Sequence, residues 1–275
     1  MSKSRKRKQK RSLDHLLADS RAGAEKVEEG NFRLDWTRAL DKVKRFQLTD
    51  PHRYVLELAQ CAIAGGATRI DVETDADDVI ISYDAPIHSR QELGHLFDYL
   101  FAQDRSLTAA KQLALAINSA LALEPGFIVI ESGDGESGQR LRLTSHTDVA
   151  LEAIEPGEPA GVPKGTRVHV RDRMTWKILI EFFKSRTAEA KHLAEGCSLA
   201  PIPVYLDGQD VVGEFQPDAL MRYRFRTGKG DRAIRGEVVL PNAVRESASL
   251  HILMNGVRVV DHEITESKWL GSLGR

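Results

Sequence analysis

The sequence predicts an α+β chain in two parts, a larger body of helices and strands and a smaller β-rich domain. Three observations carry this. Apolar residues recur at spacings of three and four through residues 36–46, 54–64, 90–101 and 108–123, the period of a helix with a buried stripe. Short runs of β character at 69–73, 79–83, 127–131, 140–144 and 166–170 separate or follow those helices. Beyond Asp207 the helical period gives way to strands punctuated by Gly, so a second domain is expected over 208–275; a length of 275 residues agrees with two domains of roughly 150 each.

The chain opens on a basic tail, residues 1–11. Its KSRKRKQKR run carries seven positive side chains and no negative ones, so the formal charge of −1 for the whole chain leaves −8 for the remainder. Blocks of like charge repel and stay solvated; the other use of such a tail is to neutralise phosphates on nucleic acid or a membrane surface. Asp14, His15, Asp19 and Arg21 follow at once, so no signal peptide is expected. The most apolar stretch, 113–130, is broken by Asn118, Ser119, Glu124 and Pro125, so no membrane span is expected either.

Ser12 suits the cap of a polar helix reaching about Val27, residues 32–34 read as extended, and Asp35 caps a helix holding Trp36, Leu40, Val43 and Phe46. Pro51 fits a first helical turn. The helix after it puts Tyr54, Val55, Leu58, Ala59, Ala62 and Ile63 on one side, with Glu57 and Cys61 together on the flank, and Gly65-Gly66 ends it. Asp84 closes the second of the next two strands, and Pro86 blocks further pairing. Helix 90–101 presents Leu93, Leu96, Phe97 and Leu100, whereas 108–123 is apolar on most sides and reads as buried. The strands 127–131 and 140–144 flank the loop Gly133-Asp-Gly-Glu-Ser-Gly138. A linker over 155–163, strand 166–170, helix 176–183 and strand 202–206 complete the body, bounded at 12–207. In the second domain the strands are 221–227, 235–240 and 249–253, the last paired through Asn255-Gly256 with 257–260, a strong short hairpin signal.

Composition excludes several chemistries. Two cysteines, Cys61 and Cys197, make neither a disulfide framework nor metal-ligand spacing, which fits a reducing compartment, and a cytoplasmic location is expected. There is no Gly-x-Ser-x-Gly elbow, no His-Glu-x-x-His and no Gly-Lys-Ser/Thr phosphate loop. The nine histidines are scattered, and one such as His88 reads as a polar surface residue.

A helix with an internal Glu, two strands ending in Asp, a buried helix, a hairpin and then Gly-Thr opening a strand: over roughly residues 30–207 this order resembles the GHKL superfamily, the ATP-site fold of gyrase B, MutL and the HtpG chaperone. The resemblance implies a two-layer α/β sandwich of Bergerat type around an ATP site. In Glu57-Leu-Ala-Gln-Cys61, Glu57 matches the family's general base, while Cys61 stands where an Asn supplies Mg²⁺ with oxygen; a neutral thiol is a poor ligand for that hard ion. The alternatives are a solvent-facing Glu57 and a Cys61 that fills space as a small hydrophobe. Asp84-Ala-Pro-Ile-His88 keeps the Asp that takes the adenine amino group but has lost both glycines of Asp-x-Gly-x-Gly; Asp84 also suits a turn cap. In the lid segment Lys111, Ala114 and Ala116 replace three glycines before Asn118-Ser119-Ala120, which favours a helix over a phosphate-cradling loop. Lys111 is either a point charge for a phosphate or a solvated lysine, and Gln60 or Asn118 is a substitute Mg²⁺ ligand if the site is active. Gly165-Thr166 fits the family's Gly-Thr, whose Thr binds adenine through water. The segment 250–259 resembles a strand of the transducer domain, with Arg258 and Lys268 the basic residues available to a γ-phosphate and neither assigned.

Three functions follow as expectations. The first is a degenerate GHKL module, a protein-interaction or scaffold domain for an unidentified protein partner, with weak or no ATP binding and no efficient hydrolysis. The second is an active, divergent, chaperone-like Mg-ATPase using Glu57 as base and Asp84 with Gly165 and Thr166 for adenine. The third is a nucleic-acid-associated protein that binds through its basic tail.

Overall fold

The computed structural model describes residues 50–102, 108–155, 157–158, 161–173, 187–213, 219–230, 233–241 and 247–265, all within one compact unit. The basic tail, the elements expected over 12–27, 32–34 and 35–46, the helix expected over 176–183, and Lys268 lie outside the described residues.

A 3-10 turn, Pro51–Arg53, leads into helix α1, Tyr54–Ala64. Of the apolar stripe read from spacing, Tyr54, Val55, Leu58, Ala59 and Ala62 are at most 1% exposed and Ile63 is partly buried, while Leu56, Gln60 and Cys61 beside that stripe are buried as well. Burying a leucine-sized side chain in this way contributes roughly 1.5–3 kcal/mol. Strands β1 (Ile70–Thr74) and β2 (Asp78–Tyr83) follow as an antiparallel pair. The helix expected over 90–101 is two pieces, α2 (Arg90–Gly94), held at its start by a Ser89 and Glu92 capping box, and a 3-10 turn, Leu96–Phe101. Helix α3, Thr108–Ala120, is buried on most sides as its composition required, and a 3-10 turn, Leu121–Leu123, ends that segment.

Strands β3 (Phe127–Asp134) and β4 (Gly138–Leu143) form the expected hairpin. A further strand, β5 (Val149–Ile154), pairs with β4, and β6 (Lys164–Arg171) pairs with both β3 and β2. Helix α4, Ala188–Gly196, precedes β7 (Val204–Leu206) and β8 (Gln209–Asp210). The sheet is eight-stranded in the order β5-β4-β3-β6-β2-β1-β7-β8, antiparallel throughout except where β1 meets β7. The fold is therefore α+β around one large mixed sheet.

Alternation gives the sheet two chemistries. Ile70, Val72, Val79, Ile81, Ile128, Ile130, Leu141, Leu143, Val168 and Val170 share one core with α1 and α3. The opposite face carries an ionic ladder. Arg140 of β4 reaches Glu131 at 2.8 Å, Glu158 at 2.6 Å and Glu152 at 3.3 Å, and His169 of β6 meets Asp78 of β2 at 2.6 Å. β5 and α4 were not anticipated: β5 has one buried side chain in six, Ile154, and so carries little periodic signal.

Beyond β8 come two ribbons, β9 (Ala219–Thr227) with β10 (Ile234–Pro241), and β11 (Ser247–Met254) with β12 (Val257–Thr265). Asn255 and Gly256 both have positive φ, 53° and 78°, as the tight turn expected between β11 and β12 demands. This hairpin touches the body: Val257 is fully buried in the main core, and the Arg53 guanidinium donates to the carbonyl of Val259 at 2.8 Å.

Helix α4 is tied to the turn before α1 by two histidine and carboxylate pairs. Asp50 accepts from the His52 amide at 3.1 Å and lies 2.7 Å from His192 Nε2, while His52 Nδ1 lies 2.6 Å from Glu189. The bond to Glu189 raises the His52 pKa above its ordinary value despite partial burial. A histidine raised in this way adds stability that is full below about pH 6.5 and is lost as pH rises through the folded-state value. Urea midpoints of the native protein and His52→Asn should differ most near pH 6 and converge as the pH climbs past that value; a constant difference up to pH 9 would refute the pairing.

Candidate functional site

The residues singled out by spacing lie around the C-terminal half of α1, the end of β2, the start of β6 and the length of α3. Glu57 sits half-buried on α1 with its Oε2 atom buried and without a hydrogen-bond partner. Burial pushes its pKa up, against the pull of the Arg53 charge. Behind it, Gln112 of α3 donates its Nε2 to Gln60 Oε1 at 3.2 Å, leaving Gln60 Nε2 and Gln112 Oε1 buried and unpartnered.

Cys61, one turn on from Glu57, is fully buried. Its sulfur lies 3.7 Å from the Tyr83 hydroxyl and 3.8 Å from His88 Nε2, and burial pushes the thiol pKa up to about 12. The thiolate is the reactive form, so this sulfur is an inert packing group.

The Asp84 carboxylate is exposed and turned towards the loop after α1. One oxygen accepts from the Thr68 amide at 2.8 Å and the other from the Thr68 hydroxyl at 2.5 Å, and the hydroxyl bond is the main reason its pKa is lowered. After Asp84 the chain folds back over the sheet end. The Ala85-Pro86 peptide is cis, and the Pro86 ring lies so close to Gly65 that a Cβ there would come within 2.2 Å of it. His88 then enters the core.

His88 was expected at the surface; it is 2% exposed, and burial lowers its pKa, which keeps the ring neutral. The reason is a hydrogen-bond chain whose direction is fixed at both ends. The His88 amide can only donate, and does so to Ser132 Oγ at 2.6 Å; the Pro86 carbonyl can only accept, and does so from Thr166 Oγ1 at 2.7 Å. Ser132 and Thr166, 2.8 Å apart, must therefore be linked by the serine proton. Every hydroxyl in the chain is satisfied.

Gly165 permits this arrangement. Its φ is +114°, and a Cβ would stand 2.1 Å from the Tyr83 carbonyl oxygen, so only glycine lets β6 begin against the end of β2. The pairing of Tyr83 with Thr166 makes Asp84 and Gly165 neighbours.

Lys111 and Asn118 belong to other surroundings. Lys111 Nζ donates to the Ala102 carbonyl at 3.0 Å, tying α3 to the end of the 3-10 turn before it. Asn118 is fully buried, with Oδ1 2.8 Å from His146 Nε2, and the His146 ring stands edge-on to Phe97. Cys61, Gly165 and Thr166 thus share one cluster with Tyr83, His88 and Ser132. The Glu57 and Asp84 carboxylates keep separate company, Arg53 for one and Thr68 for the other. Sequence reasoning missed Ser132, Tyr83, His88 and Thr68. Ser132 was readable in principle, because strand alternation sets it on the same inward face as Ile128 and Ile130, where a hydroxyl needs a partner.

Among the described residues no group of three or more His, Cys, Asp or Glu is arranged to hold a metal ion, and no helix is long and apolar enough to cross a membrane. No family model matches the chain, and no curated protein matches it.

Thr166→Val keeps the shape and removes the central hydroxyl, leaving the Pro86 carbonyl unpaired. Urea unfolding should show a loss of about 1–3 kcal/mol. In a double-mutant cycle with Ser132→Ala the double variant should lose less than the sum of the two single losses, because both interrupt one chain. Full additivity would mean that the hydroxyls are not coupled.

Proposed function

We propose that the chain is a degenerate GHKL module of Bergerat type, a binding or scaffold protein in which the hollow that takes a purine in that superfamily is closed by the protein's own residues. The carrying observation is the path of residues 84–88, which returns over the sheet end and buries His88 within the Ser132 and Thr166 hydrogen-bond chain. The family reading is supported by the order α1 with Glu57, β1 and β2 ending at Asp84, α3, the β3–β4 hairpin and then β6 opening on Gly165-Thr166, in a register that makes Asp84 and Gly165 neighbours.

The same residues fit ATP and Mg²⁺ poorly. Both Asp84 oxygens accept from Thr68, the Thr166 proton goes to Pro86, Lys111 holds a backbone carbonyl, and Cys61 offers Mg²⁺ a protonated thiol in place of oxygen. A binding role for a protein partner is supported by the large apolar side chains left exposed on the ribbons, including Met221, Tyr223 and Val238 at 60% or more.

A second reading, an active chaperone-like Mg-ATPase, draws on Glu57 alone, whose raised pKa and uncommitted oxygen are properties of a general base. Thermal melting with and without millimolar ATP and Mg²⁺ separates the two. Ligand at 100 times its dissociation constant stabilises by about 2.7 kcal/mol and must move the melting temperature. The closed module predicts no shift, and phosphate release at background level in both the native protein and Glu57→Ala. A shift of several degrees, or turnover abolished by Glu57→Ala, would overturn it.

A further inference from the structure

The β9–β10 ribbon sorts its side chains by chemistry. Register pairs Met221 with Leu240, Tyr223 with Val238, Arg224 with Glu237, and Arg226 with Arg235. Alternation therefore collects Met221, Tyr223, Phe225, Ile234, Val238 and Leu240 on one face and Arg222, Arg224, Arg226 and Arg235, together with Glu237 and Val239, on the other. Among the described residues of the ribbon, one carboxylate joins these four arginines: Glu237, 3.6 Å from Arg222 and 3.7 Å from Arg224. This excess of positive charge runs against the body of the chain, which is formally −8 once the tail is set aside and the ribbon itself is counted in. It is a local feature and not a reflection of net charge.

Three details give the face a direction of use. Arg226 stands directly opposite Arg235, a like-charged cross-strand pair that is unfavourable unless an anion lies between them. The cations of both strands are all arginine, whose planar fork matches phosphate oxygens two at a time. The β9 arginines recur at every second residue, about 6.7 Å apart, on a ribbon whose strands lie about 4.8 Å apart; a DNA major groove about 12 Å wide admits such a ribbon.

We propose that the arginine face of the β9–β10 ribbon is a nucleic-acid-binding surface that engages polynucleotide phosphates. It is separate from the basic tail and does not depend on the state of the purine hollow. A lipid surface would take the apolar face first and leave the arginines pointing away from it, because the two sets of side chains leave the ribbon in opposite directions.

The test is fluorescence anisotropy of the full-length chain and of its R222Q/R224Q/R226Q/R235Q variant with a labelled DNA duplex and a labelled single strand across a salt series. Each phosphate neutralised contributes about 0.9 to the slope of log affinity against log salt on duplex and about 0.7 on a single strand, so the four-arginine variant should lose up to about 3.6 and 2.8 respectively and bind about tenfold or more weakly near 100 mM salt. The R222K/R224K/R226K/R235K variant keeps the charge and should keep most of the slope. Unchanged urea midpoints show that these exposed substitutions leave the fold intact. Equal affinity and slope in the native and glutamine forms would overturn the proposal and assign binding to the tail. Binding to phosphatidylserine vesicles, lost in the glutamine variant and unaccompanied by binding to either DNA, would overturn it in favour of a membrane.

Discussion

Ser132 and Thr166 are 1% and 2% exposed on a sheet face otherwise built from Ile, Val, Leu and Tyr83, and His88 of the loop after β2 is 2% exposed beside them. A buried polar group left without a partner costs about 1–3 kcal/mol, so these groups must satisfy one another inside the core. The route from the His88 amide through two hydroxyls to the Pro86 carbonyl does so with no donor or acceptor left over. That one requirement determines much around it. It bends residues 84–88 back over the sheet, presses Pro86 onto Gly65, and needs β6 to start against β2 at a glycine. It also sets the His88 ring against the Cys61 sulfur and so decides what α1 presents at that position.

The two faces of the sheet answer to different physics. On the core side, burial of apolar area dominates, and the polar cluster is tolerated because it is complete. On the other side the charged ladder stays partly in water. Arg140 shares three carboxylates there, and its side chain retains 19% exposure. The pair with exposed Glu152 contributes little, whereas buried Glu131 needs Arg140 to offset the desolvation of its charge. The eight-stranded sheet therefore rests on its helix-covered face, and the neighbouring polar seam adds constraint on top of that packing.

Much of the body was legible because its signals are periodic and local. The α1 stripe, the β1–β2 and β3–β4 pairs, buried α3 and the Asn255-Gly256 turn all follow from spacing or from a dipeptide with one favoured conformation. β5 and α4 were not legible: the first has little alternation of burial, and the second has weak apolar content, its buried side chains being Glu189, Ala190 and Leu193. The site was legible in part. Gly165 was noted from a motif, but its need is a close approach to the Tyr83 carbonyl, which no local pattern encodes. His88 was misjudged because its burial depends on Ser132, 44 residues away, and on the return path opened by Pro86. Non-local pairing of single polar groups leaves no period to read.

The remaining buried polar groups differ from that completed chain in an instructive way. Between α1 and α3 the Gln60 and Gln112 amides share one hydrogen bond and leave one donor and one acceptor orphaned. Turning both amides over exchanges the roles and leaves one donor and one acceptor again, so no choice of orientation within the pair removes the deficit. On α1, Glu57 adds a third buried atom without a partner, and burial raises its pKa. Two apolar side chains of similar size would pack between the helices with nothing orphaned. The sheet end thus pairs its buried polar groups completely, whereas the Gln60 and Gln112 seam between the helices stays polar and incomplete. A half-satisfied network in low dielectric is the least determined part of a core, whereas a complete one specifies a single arrangement.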